Sequence, residues 1–187
     1  MSITTYYTAT SLDGFIADEQ HSLEWLLRQD QDESGPLNYD DFFARVGAVV
    51  MGSTTYEWIL GHEEGQWPLQ LPAWVLTTRE LPQVDGDVRV ARGDVRAVHD
   101  EMTAAAGGKD RWVVGGGDLA GQFADAGLLD ELIVYVAPVT LGGGAPLLPP
   151  KPWRGESGTD TSSSSTGPPQ GSQSPSGTPW RRSGPEC

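Results

Sequence analysis

The chain has 187 residues, a formal net charge of −14, 24 glycines, 14 prolines and one cysteine, Cys187, at its end. A single terminal thiol excludes an internal disulfide framework and a cysteine-ligated zinc site. A surface this acidic repels nucleic acid and anionic lipid.

The acidity is concentrated in the first 150 residues, which carry 8 Lys/Arg against 23 Asp/Glu. Residues 151–187 hold 21 Gly, Pro or Ser and no Leu, Ile, Val, Met, Phe, Tyr or Ala. Such a composition buries too little apolar surface to offset chain entropy. Residues 1–150 therefore read as one folded domain, and 151–187 as a disordered Ser/Pro/Gly-rich tail. The N-terminus lacks a signal-peptide pattern and no apolar run is long enough to span a bilayer. The expectation is a soluble cytoplasmic protein that binds neither nucleic acid nor membrane.

In chain order, residues 3–8 form a β-branched and aromatic strand. Residues 11–17, "SLDGFIA", are a turn at Asp13-Gly14 followed by apolar residues. Residues 37–46 read as a helix ending at Gly47, and 48–51 as a buried strand broken by Gly52. Residues 53–60, "STTYEWIL", open with hydroxyls suited to an N-cap, and Gly61 closes that helix. Strands follow at 73–78 and 88–91. Asp94 is an N-cap for a helix over 95–106, with Val95, Val98 and Met102 on one face and Gly107-Gly108 at its end. A strand at 112–114, a helix over 119–126 stopped by Gly127, and a strand at 131–139 complete the domain. Strands that alternate with helices imply an α/β domain with a mostly parallel sheet.

Gly115, Gly116 and Gly117 stand between a strand and a helix. A helix N-terminus offers free N–H groups and a positive dipole end, and bare backbone lets a phosphate come close. Gly115, Gly117 and Ala120 fit the dinucleotide fingerprint G-x-G-x-x-G/A, yet that fingerprint wants an acid about 20 positions on. The region Val134–Ala137 has no carboxylate. A phosphate-binding Walker loop fails as well, because no Lys follows. A second such junction occurs at "VVMGSTTYEWI". Two helix N-termini facing each other across a parallel sheet can hold both ends of a dinucleotide's phosphate chain. The strand ending "LTTR" adds Thr77, Thr78 and the cation of Arg79.

In order, "SLDGFIA", "VVMGSTTYE", "VLTTR", "WVVGGGDLA" and "LLDELIVYVAPVTLGGGAPLL" resemble the dihydrofolate-reductase-like family. They are closer still to the reductase domain of the bifunctional riboflavin-biosynthesis deaminase-reductase and its stand-alone relatives. The resemblance runs from about residue 3 to 148. It implies a three-layer fold, a mostly parallel central sheet flanked by helices. It also implies an NADPH-dependent oxidoreductase acting on a small heterocyclic, carbonyl or imine substrate, and relatives of this type are often homodimers. On that model Ala9 and Ile16 offer backbone groups to the nicotinamide carboxamide. Gly52, Ser53, Thr54 and Thr55 hold phosphates at one helix start. Thr77, Thr78 and Arg79 sit by the adenosine and its 2′-phosphate. Gly115, Gly116, Gly117, Asp118 and Leu119 wrap the other end.

The chain departs from the family in three ways. Many relatives carry Arg where Ser53 stands, riboflavin-pathway reductases carry Glu where Gly115 stands, and the zinc-binding deaminase half is missing. These departures leave open an inert nucleotide-binding relative without turnover. Candidate proton donors are Asp13, and Asp40 or Asp41 on the helix edging the substrate cleft, with Asp41 carried forward; burial beside Phe42 would suit either helix residue to the role. Asp13 reads equally as turn chemistry. Tyr56, Trp58, Trp25 and Trp112 read as core, and His21, His62 and His99 as surface residues with no metal site. The family's C-terminal hairpin has no counterpart after Leu148, and 151–187 resemble coding sequence read in the wrong frame, which would leave the 131–139 strand with a free edge.

Overall fold

The computed structural model describes residues 2–29 and 38–150. The readings of Leu37 and of 151–187, hairpin and frame included, lie outside those residues.

Six strands form one sheet: β1 (Thr4–Thr10), β3 (Val46–Gly52), β4 (Ala73–Leu76), β5 (Val88–Ala91), β6 (Asp110–Gly115) and β7 (Glu131–Val136). Their spatial order is β5-β4-β3-β6-β1-β7, and each pairing is parallel. Two short strands, β2 (Phe15–Ala17) and β8 (Ala145–Pro146), pair antiparallel beside it. The helices are α1 (Glu24–Leu27), α2 (Tyr39–Ala44), α3 (Ser53–His62), α4 (Val95–Ala105) and α5 (Gly117–Asp125). Among the described residues β7 has no partner on its outer side.

Period-two alternation along the strands sorts the core into two layers. Ala48, Val50, Trp74 and Val113 face α4 and α5, where Val98, Met102, Leu119 and Phe123 meet them. Val49, Met51, Ala73, Val75 and Trp112 face α2 and α3, against Phe42, Tyr56 and Leu60. The sheet is thus covered on both sides, which a fully parallel sheet requires.

Several local expectations shift by one contact or one turn. Gly47 lies inside β3 and does not end a helix; a Cβ there would meet the Ala106 carbonyl oxygen, where α4 closes against the strand. Gly61 is within α3, and closure comes at Gly65, whose positive φ lets its N–H reach the Leu60 carbonyl at 2.7 Å. Residues 77–78 lie past the end of β4, and β7 stops at Val136, before 139. Trp25 and Trp58 are half-buried, Trp58 stacking on exposed His62 at 4.9 Å. His99 is no surface residue: it is half-buried and its Nε2 lies 3.1 Å from the Thr4 hydroxyl. No helix among the described residues is long and apolar enough to cross a membrane, and no group of three or more metal-ligating side chains occurs among them.

Candidate active site

All six parallel strands end at one edge, so every strand-to-helix junction opens there. From β3 the chain passes through α3 outward to β4; from β6 it passes through α5 over β1 to β7. The strand order reverses between neighbouring β3 and β6, the place where open parallel sheets bind ligands. The two helices run along opposite faces, yet their first residues meet at this edge, because Met51 and Gly115 are paired in register.

The two starts share a second property. Gly52 is the N-cap of α3 and Gly116 that of α5, and neither has a side-chain cap. The expectation that a hydroxyl would cap α3 is corrected here, since Ser53 is already in the first turn. A Cβ built on Gly52 would touch nothing within 4 Å, and one on Gly116 would stand 4.0 Å from the Gly52 nitrogen. The first N–H groups of both helices therefore lack side-chain acceptors at one edge of the sheet.

The three glycines turn out to have three different causes. Gly116 adopts φ +95°, a conformation L side chains rarely enter. A Cβ on Gly115 would lie 2.8 Å from the Thr55 hydroxyl. A Cβ on Gly117 would drive into the Pro146 and Leu147 carbonyls, so that glycine admits the chain's own backbone. Asp118 is exposed, whereas Leu119 is buried in the core and turns only its backbone to this edge.

Arg79 reaches back to α3. Its guanidinium donates to Glu57 Oε1 at 2.6 Å and to Ser53 Oγ at 3.4 Å. Its backbone N–H donates to Thr77 Oγ1 at 3.0 Å, so the "TTR" turn is held by its own hydroxyl. Thr54 and Thr78 are exposed beside it. Arg79, just past the end of β4, thus places a cation beside Ser53.

Between β1 and β6 the sheet splits. Their ladder runs Thr4↔Arg111, Thr5↔Trp112, Tyr6↔Val113 and ends there, although β1 continues to Thr10 and β6 to Gly115. Ala9, paired with Tyr135 on its other side, borders this split. Ile16 lies on β2, half-buried. At the base of the split, on the α2 side, six aromatic residues gather. Tyr7 stacks on Phe42 at 4.3 Å and meets Tyr135, Tyr39 and Trp112 at 5.5, 6.2 and 6.3 Å, while Phe43 stacks on Tyr39 at 5.5 Å. Burial, reinforced by its hydrogen bond to Tyr135, pushes the Tyr7 phenol far above its usual range. Burial and the charge of Asp40 raise Tyr39. Both phenols remain protonated donors at neutral pH. Sequence reading missed these tyrosines. The usable signal was register: Tyr7 and Tyr135 fall on the same face of adjacent strands.

The carboxylates fare differently. The Asp13 side chain accepts from Ser11 Oγ at 2.6 Å, from the Gly142 N–H at 2.7 Å and from the Leu141 N–H at 3.1 Å. These bonds, the serine's first, lower its carboxyl to about 2. A group so firmly ionised staples two loops and does not donate a proton at neutral pH. Asp41 is exposed and tied to the Asn38 cap: the Asp41 N–H donates to Asn38 Oδ1 at 2.9 Å and Asn38 Nδ2 donates to Asp41 Oδ2 at 2.8 Å. Asp40 is exposed as well. Neither helix aspartate points inward beside Phe42, so the assignment of Asp13 and Asp41 as acids loses its geometric basis.

The parallel order, the split beside the first strand and the two glycine-started helices define the class as a dihydrofolate-reductase-like α/β fold. The chain belongs to the family of the RibD C-terminal domain, whose model matches residues 3–167. It is 32% identical to the uncharacterized protein YwjB of Bacillus subtilis, over 77% of this chain and 81% of that one. It is 29% identical to the riboflavin biosynthesis protein RibD of Mycobacterium tuberculosis, of which it spans only 43% while matching over 74% of its own length. Among solved structures, a putative riboflavin biosynthesis protein from Shewanella sp. PV-4 superposes with a TM-score of 0.67 at 29% identity, covering 79% of this chain and 84% of the other. Dihydrofolate reductase from Enterococcus faecalis, complexed with NADP(H), shares the fold at a TM-score of 0.51 and 20% identity, covering 78% and 76%. Family and fold together place the chain with oxidoreductase domains related to riboflavin biosynthesis.

Proposed function

We propose that the protein is an NADPH-dependent reductase that passes a hydride to a small, planar heterocyclic or carbonyl/imine substrate, in the manner of 5-amino-6-(5-phosphoribosylamino)uracil reductase. The observation that carries this reading is the pair of uncapped helix starts at Gly52 and Gly116, side by side on β3 and β6. Those residues fit a dinucleotide's phosphates: the N–H groups lack side-chain acceptors and the space over Gly52 is open. NADPH, when bound, supplies the hydride.

The chain's own residues bind and orient. The first turns of α3, Ser53 to Thr55, and of α5, Gly117 to Leu119, would hold the phosphates through backbone N–H groups. Thr77, Thr78 and Arg79 would take the adenosine end. Ala9 and Ile16 would take the carboxamide, on the two strands that flank the turn Asp13 pins to Leu141 and Gly142. Tyr7 and Tyr39 would stack a flat substrate at the base of the split, with the Tyr39 phenol as a donor to its heteroatoms. Such a reaction belongs with the cytoplasmic dinucleotide pool.

The acidic residues favour a second reading. With Asp13 committed to loops and Asp40 and Asp41 exposed, the aromatic face has no carboxylic acid from those three candidates, and an inert nucleotide binder would need none. Purified protein titrated with NADPH should show tryptophan quenching with energy transfer. Subsequent oxidation of bound NADPH by members of a heterocycle and carbonyl panel supports the reductase. Binding without oxidation supports the inert binder, and absence of binding defeats both.

A further inference from the structure

Resting on the dinucleotide reading above, we infer that Glu57 and Arg79 together decide which dinucleotide the protein accepts, and that Glu57 acts against the 2′-phosphate. The two side chains stand at the first turns of α3, their charged atoms 2.6 Å apart, and both are partly exposed, Arg79 at 55% and Glu57 at 37%. Glu57 is four residues past Ser53, so both lie on one helix face, and Arg79 contacts both.

The pair contains two chemistries that dinucleotide sites elsewhere use separately. A carboxylate accepts hydrogen bonds from a free ribose 2′-hydroxyl, whereas an arginine receives a 2′-phosphate. Here they neutralise each other. A 2′-phosphate arriving at Arg79 must share the guanidinium with Glu57 and meets that carboxylate's negative charge at close range. A ribose with a free 2′-hydroxyl meets an acceptor already held in place by Arg79. The intact pair therefore discriminates weakly between the two dinucleotides, and each member alone would discriminate strongly, in opposite directions. Ser53, where many relatives carry a second cation, leaves Arg79 without help and makes the opposition of Glu57 count for more.

The test measures equilibrium binding of NADPH and NADH by tryptophan quenching at fixed low salt, because exposed charges are screened at high ionic strength. Glu57→Gln should tighten NADPH by about 3- to 10-fold while leaving NADH unchanged or weaker. Arg79→Gln should weaken NADPH by a similar factor and spare NADH. If Glu57→Gln weakens NADPH, Glu57 positions Arg79 for the phosphate and the inference is overturned. Equal effects on both dinucleotides overturn it too, pointing to a general loss of helix order. If unsubstituted protein binds neither dinucleotide, the reductase reading fails and this inference fails with it, a result distinguishable from a failed substitution.

Discussion

Helix α4 begins with Asp94, whose carboxylate accepts the Arg96 N–H at 2.9 Å, and α2 begins with Asn38, which accepts from Asp41. Helices α3 and α5 begin with glycines that cap nothing. The difference is informative because N-terminal N–H groups need acceptors wherever they occur. At α2 and α4 the chain supplies its own acceptors. At α3 and α5, which adjoin at the sheet's reversal point, the acceptor is left to solvent or ligand.

Substitutions can break this comparison, and the largest effect is expected at Gly117. A side chain there collides with the Pro146 carbonyl oxygen, so Gly117→Ala should lose about 2–4 kcal/mol in denaturant unfolding. A loss well under 1 kcal/mol would show that the crossing of residues 146–147 is not fixed. Next comes closing an open helix start. Gly52→Asp places a cap where space is free, so stability should rise by about 0.5–1 kcal/mol. NADPH binding should meanwhile fall about tenfold or more, because a carboxylate now occupies the phosphate's donors. Improved binding would contradict the site. The converse change, Asp94→Ala, should cost about 1 kcal/mol and leave dinucleotide affinity alone.

The smallest effect concerns pH. Desolvation first, then the charge of Arg111, lowers the His99 pKa below 6.5 in the fold, against weaker opposing pulls from Asp100 and Asp130. On acidification below pH 6.5 the unfolded chain takes up a proton before the folded one does. Stability contributed by neutral His99 is therefore present above that pH and declines as pH falls toward the depressed folded value. His99→Asn should flatten the dependence of unfolding free energy on pH in that window, and an unchanged slope would assign the effect elsewhere.

Local chemistry along the chain was enough to read the parallel α/β class, the Asp94 cap and the inward face Val95, Val98 and Met102, because caps and periodicities are short-range properties. It located both glycine junctions for the same reason. Tertiary structure alone divided the three glycines between a positive φ, a threonine neighbour and a crossing backbone. It also tied Asp13 to Leu141 and Gly142, brought Arg79 to Ser53, and joined Tyr7 to Tyr135. Each of those outcomes depends on a segment distant in sequence, and a side chain's role is set by the partners that folding brings within hydrogen-bond reach.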